Sequence, residues 1–208
     1  MKFLVTAGPT REPIDPVRFI SNRSSGKMGY AIARSAVSQG HDVVLVSGPV
    51  SIDPPDRIEL IRVTTADEML TAVKKRVNWC DVLIMAAAVA DWRPRHVGRH
   101  KLKKDKRPIT LQLDPAPDIL KTLMPKKGRR IFVGFAAETE NICEEARRKL
   151  KEKGLDLIVA NNVNEAGSGF DVDTNRVTLI WADGRIEALP LMSKRKVANY
   201  IIKQVMTT

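Results

Sequence analysis

Short apolar runs alternate with helical stretches through the first ninety residues, and that alternation confines the chain to one architectural class. Phe3–Thr6 is a short, nearly continuous apolar run, the pattern of a strand buried on both faces. Lys27–Ser38 reads as a helix, with Met28, Ile32 and Ala36 on one face and Gly40 as a stop signal. Asp42–Ser47 and Ile58–Val63 are β-branched strand patterns. Thr65 and Glu68 form a capping box that opens a helix running to about Val77, and Val82–Ala87 is again a buried strand. This order implies a mostly parallel sheet covered by helices. Right-handed crossovers then make it a doubly wound, Rossmann-like α/β fold with helices on both faces.

The rhythm breaks after Asp91. About 92–108 is polar and carries Arg93, Arg95, Arg99, Lys101, Lys103, Lys104, Lys106 and Arg107, which reads as a mobile basic loop or arm. Ile109–Leu113 alternates like a half-exposed strand, and Pro117–Leu123 opens a helix with Pro-Asp. Arg130–Phe135 and Leu157–Ala160 are strands on either side of an amphipathic helix, Asn141–Lys153. Val177–Trp181 and Ile186–Leu189 make a hairpin turning at Asp183-Gly184. Ser193 caps a last helix with Val197, Ile201 and Val205 on one stripe. One domain over 1–208 is expected, with a C-terminal hairpin and helix.

The 208 residues are 43% hydrophobic and 28% charged, which is ordinary for a globular protein. No apolar run approaches a membrane span, and the start is too short in apolar residues for a signal peptide, so a cytoplasmic protein is expected. Cys80 and Cys143 read as free thiols. The net charge of +11 fits polyanionic small ligands, nucleic acid, or merely a basic composition. No aromatic–basic interleaving or nucleic-acid motif is present, so no specific nucleic-acid partner is expected.

The first strand–helix junction, Thr10–Gly29, is several times the usual two to six residues. In open α/β sheets a phosphate meets backbone N–H groups and the helix dipole at this junction. The junction lacks G-x-G-x-x-G, which disfavours an ordinary dinucleotide enzyme, and S-S-G-K-M-G is not a Walker loop. Ser24, Ser25, Gly26 and Lys27 suit a phosphate at a helix N-terminus; alternatively Ser24 or Ser25 is simply the N-cap. Gly8 and Thr10, just after the first strand, would face the same phosphates. Arg18 could grip a phosphate or carboxylate in bidentate fashion, or pair with Glu12 or Asp15. The small residues Ala86–Ala88 would let a flat base lie close, with Asp91 offering acceptors to an exocyclic amine. Lys149 and Lys153 share a helix face. No metal-ligand spacing involves His41, His96 or His100, and no Ser-His-Asp or Cys-His arrangement is evident.

The stretch S-N-R-S-S-G-K-M-G, together with A-A-A-V-A-D, K-L-K-K, P-D-I-L, G-F-A-A-E-T and A-R-R-K-L-K-E-K, resembles the phosphopantothenate–cysteine ligases of coenzyme A biosynthesis, in their bacterial CTP-dependent form. The blocks run in the family's order from Gly8 to about Gly184. The resemblance implies a ligase that joins 4′-phosphopantothenate and L-cysteine through an acyl-cytidylate, releasing pyrophosphate and CMP. It implies Asn22 as the catalytic asparagine, its amide donating to the carbonyl oxygen where charge builds. Lys101 would serve the triphosphate as a second catalytic residue. Gly8, Thr10, Ser24, Ser25, Gly26, Lys27, Ala86, Ala87, Asp91, Pro117, Asp118, Ile119, Leu120, Phe135, Lys149 and Lys153 would hold the nucleotide, and Arg18, Asn22 and Ala88 the substrate. Ala116 stands where the family has Asn, and Asn162 where it often has Asp. Mg2+ would arrive with CTP, ATP remains open, and a homodimer is implied. Met1 leads straight into the first strand, so a stand-alone ligase without the flavin-dependent decarboxylase of many bacterial fusions is expected, and no flavin. A non-catalytic nucleotide-binding module on the same fold is the alternative.

Overall fold

The computed structural model describes residues 1–104, 108–138, 140–162, 164–165, 167–169 and 171–207. In chain order it begins with β1 (Lys2–Ala7), β2 (Arg11–Pro13), β3 (Phe19–Ser21), α1 (Lys27–Ser38), β4 (Asp42–Ser47), β5 (Glu59–Arg62), α2 (Ala66–Arg76) and β6 (Val82–Met85). Next come β7 (Trp92–Pro94), β8 (Leu113–Pro115), α3 (Ile119–Leu123), β9 (Ile131–Glu138), α4 (Ile142–Glu152) and β10 (Leu157–Asn162). The last part holds β11 (Thr174–Asn175), β12 (Thr178–Trp181), β13 (Ile186–Ala188), β14 (Met192–Ser193) and α5 (Lys194–Val205).

Among the described residues, eight strands form the central sheet in the order β13-β12-β10-β9-β6-β1-β4-β5. The six from β10 to β5 are parallel, and β12 and β13 are added antiparallel at one edge. Side chains alternate across a strand, so β1 feeds two cores. Phe3, Val5 and Ala7 face Tyr30 and Ile32 of α1 and Val197 and Ile201 of α5. Leu4 faces the other way, onto Met69 and Val73 of α2, Leu123 of α3 and Ala146 of α4. Helices therefore cover both faces, as the alternation predicts. Local signals agree: Thr65 and Glu68 make the reciprocal capping box of α2, and Ser193 caps α5.

The chain leaves β1 outward to β4 and β5, then crosses back to β6 on β1's other side. This reversal is the topological switch point, where open α/β sheets bind ligands at the carboxyl ends of their strands. Beyond the strand ends the two segments stay laced together: Ala88 N donates to Gly8 O at 2.9 Å and Thr10 N to Ala88 O at 3.3 Å.

Three features depart from the sequence reading. The long junction is an ordered hairpin, β2 paired with β3 from Arg11↔Ser21 to Pro13↔Phe19. The arm rises from a ribbon in which β7 pairs with β8. Ile109–Leu113 is therefore strand only at its last residue, because the facing segment offers just Trp92–Pro94. Neither Ser24 nor Ser25 caps α1; Gly26 is the N-cap at φ 78°. A Cβ there would lie 2.8 Å from Val50 Cγ1, so glycine answers both the left-handed backbone and the crowding.

Candidate active site

A cleft of about 440 Å3 lies at the carboxyl ends of β6, β9 and β10, within the range of small-molecule sites. The loop into α1 supplies one wall, from Asn22 through Met28. The segment after β6, Met85–Asp91, forms the floor. Ala116–Leu120 at the start of α3, Phe135 and Ala137 of β9, and Lys149 and Lys153 on α4 close the far side. Gly169, Asn175 and Lys194 complete the end nearest α1.

The structure thus brings Asn22, Ser24, Ser25, Gly26, Lys27, Ala86, Ala87, Ala88, Asp91, Pro117, Asp118, Ile119, Leu120, Phe135, Lys149 and Lys153 to one cavity. Four expected residues are not part of its lining. Gly8 packs at φ 76° against Gly48 and Val50 and holds the turn after β1. Thr10 is fully buried, and its Oγ1 accepts from Ala90 N at 2.9 Å, so its hydroxyl braces the floor from beneath. Arg18 is turned to Asp15 at 3.3 Å, the ion pair left open by the sequence. Lys101 is exposed on the arm.

Asn22 follows β3 and reaches across to the floor. Its Nδ2 donates to Ala88 O at 3.2 Å and Val89 O at 3.0 Å. Two carbonyl acceptors fix which end of the amide is the NH2 group. Both amide hydrogens are then engaged, and among the described residues Oδ1 has no hydrogen-bond donor. In this arrangement Asn22 presents its acceptor end to the cleft.

The cations are held by their neighbours. Lys149 Nζ lies 2.5 Å from Glu138 Oε1, and Lys153 Nζ 3.0 Å from Asp118 Oδ2. Asp118 also caps α3, accepting from Lys121 N at 3.0 Å. Lys27 Nζ donates to Asp171 O at 2.9 Å and Asp173 Oδ1 at 2.7 Å, and this hydrogen bond holds the Asp173 carboxyl below its usual range. Lys194 is only 5% exposed, and its Nζ donates to Gly169 O at 2.8 Å and Val172 O at 2.6 Å. Burial pushes the pKa of its ammonium down, and Lys27 nearby adds to this. Two ammonium groups thus stand near one end of the cleft, with the Asp173 carboxylate already beside Lys27.

Sequence reasoning missed Lys194, Asn175 and Gly169. Lys194 had one signal. It sits at the first position of α5, where the helix dipole disfavours a cation. Asn161 lines the cleft, whereas Asn162 accepts from Asn164 N at 2.9 Å and closes a local turn. Ala116, in the family's Asn position, joins the floor through Ala116 N donating to Asp91 O at 2.8 Å.

Residues 1–208 match the DNA/pantothenate metabolism flavoprotein C-terminal domain. The chain belongs to that family. Members of known role include the coenzyme A biosynthesis bifunctional protein CoaBC of Bacillus subtilis, 51% identical over 203 residues, which are 97% of this chain and 50% of that protein. The Escherichia coli K12 CoaBC is 44% identical over 211 residues, covering 100% of this chain and 52% of that protein. The chain therefore spans about half the length of the curated relatives it matches. A crystal structure of the C-terminal domain of CoaBC superposes with TM-score 0.85 at 45% identity, covering 99% of this chain and 94% of that one. A Streptococcus pneumoniae member of the family has the same fold at 23% identity, with TM-score 0.86 over 100% of this chain and 99% of that one.

Proposed function

We propose that this chain is a phosphopantothenate–cysteine ligase, joining 4′-phosphopantothenate to L-cysteine in coenzyme A biosynthesis by way of an acyl-nucleotide. The observation that carries the reading is the placement of Asn22 over the Ala88–Val89 carbonyls in the same cleft as Lys149, Lys153, Lys27 and Lys194. In the first step the pantothenate carboxylate oxygen attacks the α-phosphorus and pyrophosphate leaves. In the second the cysteine nitrogen attacks the acyl carbon, a proton leaves the nitrogen, and the nucleoside monophosphate departs. Holding both reactants in one cleft supplies proximity, a large part of the acceleration in two-substrate chemistry.

The residues divide the work by charge. Lys149 and Lys153 stand on one face of α4, already oriented by Glu138 and Asp118, and suit the nucleotide. Lys27, at the open N-terminus of α1, suits phosphate. Asn22 Oδ1 is placed to accept an N–H of the incoming amine and aim its lone pair at the acyl carbon. Lys101, exposed on the arm, would have to reach in to serve the leaving pyrophosphate. Ala86–Ala88 and Asp91 suit cytosine, which makes CTP the preferred nucleotide and ATP the competitor.

Among the described residues no group of three or more His, Cys, Asp or Glu could hold a metal. Mg2+ in this reading arrives on the triphosphate and keeps several of its waters. When bound, that ion would neutralise phosphate charge. No helix among the described residues is long and apolar enough to cross a membrane.

A homodimer is part of the proposal. Val17 and Phe19 on the hairpin, and Trp92, Val97, Ile109 and Leu113 on the ribbon and arm, are all exposed apolar side chains, and such a concentration suits a subunit contact.

The test is product analysis by mass spectrometry with 4′-phosphopantothenate, cysteine and either CTP or ATP. The reading expects an amide product that requires all three components and forms faster with CTP. Nucleotide binding with no amide from any combination would favour the non-catalytic module.

A further inference from the structure

The β2–β3 hairpin is unusually well anchored for six paired residues. Glu12 is 2% exposed, and its Oε1 accepts from Ala66 N, at the start of α2, at 2.8 Å. Arg11 N donates to Thr64 O at 2.7 Å, and Ser21 Oγ donates to Thr10 O at 2.7 Å. Asn22 follows directly on this fixed base.

At the hairpin's tip the Asp15 side chain is fully buried. Its Oδ1 accepts from Val17 N and Arg18 N, both at 2.8 Å. A turn aspartate closing its own loop would need no more than that. Asp15 goes further, across 87 positions of sequence: its Oδ2 accepts from Leu102 N at 3.1 Å. Arg18, paired with the same carboxylate, donates from Nη2 to Leu102 O at 3.0 Å. One ion pair therefore grips both backbone groups of Leu102, the neighbour of Lys101. A second stitch lies nearby, where Gly98 N donates to Ile14 O at 2.8 Å. A buried carboxylate without compensating donors is expensive, and here its donors come from the hairpin and the basic arm together.

We propose that Asp15, working with Arg18, is the positioning residue of the basic arm: it fixes Leu102, and so holds Lys101 in a set relation to Asn22 through one shared hairpin. The proposal rests on Lys101 serving the nucleotide phosphates, as above. Asp15 itself touches no substrate.

Two readouts on the full chain test it. The first is timed trypsin cleavage under native conditions, with cut sites read by mass spectrometry. Asp15→Ala should speed cleavage between Arg99 and Lys104 by roughly tenfold or more, because the arm loses hydrogen bonds to a charged group, while cuts elsewhere keep their rates. Asp15→Asn keeps an acceptor oxygen and the fold, and should lie between the two. Unchanged cleavage of the arm in both variants overturns the clip.

The second readout is kcat in Asp15→Asn, Lys101→Gln and the double variant. If Asp15 acts through Lys101, the double variant is no slower than Lys101→Gln alone. Losses that multiply overturn the positioning role. A Lys101→Gln enzyme with unchanged turnover removes Lys101 from the reaction, a separate result, and the cleavage rates then decide whether Asp15 holds the arm.

Discussion

Asn22 Nδ2 lies 3.0 Å from the carbonyl oxygen of Val89, and the same amide donates to Ala88 O. The two bonds convert a flexible loop amide into a group with a defined acceptor end. Asn22→Asp replaces the donating NH2 by a carboxylate oxygen facing two carbonyls, so the side chain must swing away. The amide-forming step should fall by roughly 100-fold or more, the cost of losing one preorganised polar contact at a reacting centre. Nucleotide binding should hardly change. Single-turnover formation of amide from preformed acyl-nucleotide measures the first, and equilibrium titration with CTP the second.

Lys149 and Lys153 are held by Glu138 and Asp118 within the cleft. Replacing either lysine by Gln should weaken nucleotide binding by roughly 10- to 100-fold, the range of a hydrogen bond to a charged group. Isothermal titration with CTP would measure it. By contrast, Arg148 on the same helix pairs with Glu145 and Glu152 in solvent, and Arg148→Gln should leave binding unchanged.

Gly29 on α1 sits against β1, where an added Cβ would lie 2.6 Å from Ala7 Cβ and 2.7 Å from Thr6 O. Backbone cannot yield as a side-chain tip can. Gly29→Ala should cost about 1–3 kcal/mol, the usual range for overpacking, and lower Tm by roughly 2–12 °C in a chain of this size. Thermal unfolding followed by circular dichroism would show it.

Burial of Asp15 by itself raises its pKa, but the N–H groups of Leu102, Val17 and Arg18, with the Arg18 charge, outweigh burial and hold it below the usual value. A carboxylate with a lowered folded pKa contributes stability above its unfolded value and loses it as pH falls through the folded one. The clip should therefore persist throughout the neutral range and release only below the ordinary aspartate pKa. In NMR titrations the Leu102, Val17 and Arg18 amides should move together, with a midpoint under that value. A midpoint above it would contradict the arrangement.

Cys80 is buried, and burial pushes its thiol pKa up to about 11, whereas Cys143 is exposed. Only the thiolate reacts readily. A native sample at neutral pH should give one fast-reacting thiol and a denatured one two, counted with a chromogenic disulfide reagent.

Much of the fold could be read from the residues because local signals and tertiary packing agree. Thr65 and Glu68 cap α2 as their spacing says, and the apolar run Val82–Met85 is buried on both faces. The cleft was legible where motif residues lie on strand ends and helix starts, such as Ala86–Ala88 and Pro117-Asp118, and at the Lys149/Lys153 pair closing the last turn of α4. It was less legible where a side chain's partner is distant in sequence. Nothing local says that the Thr10 hydroxyl turns under Ala90, that Arg18, beyond the Asp15 pair the sequence allowed, also reaches Leu102, or that Lys194 reaches back to Gly169 and Val172. The β2–β3 hairpin escaped notice for a related reason: its strands are three residues each, with Pro13 ending β2 and Pro16 in the turn, and tertiary bonds from Glu12 and Asp15 hold them.

The most direct test of the acyl-nucleotide route is a rapid-quench measurement of pyrophosphate with CTP, Mg2+ and 4′-phosphopantothenate, first without cysteine and then with it. The account predicts a burst of about one pyrophosphate per active site without cysteine, and sustained turnover once cysteine is added. Pyrophosphate release only when cysteine is present, or release that does not require 4′-phosphopantothenate, would contradict it.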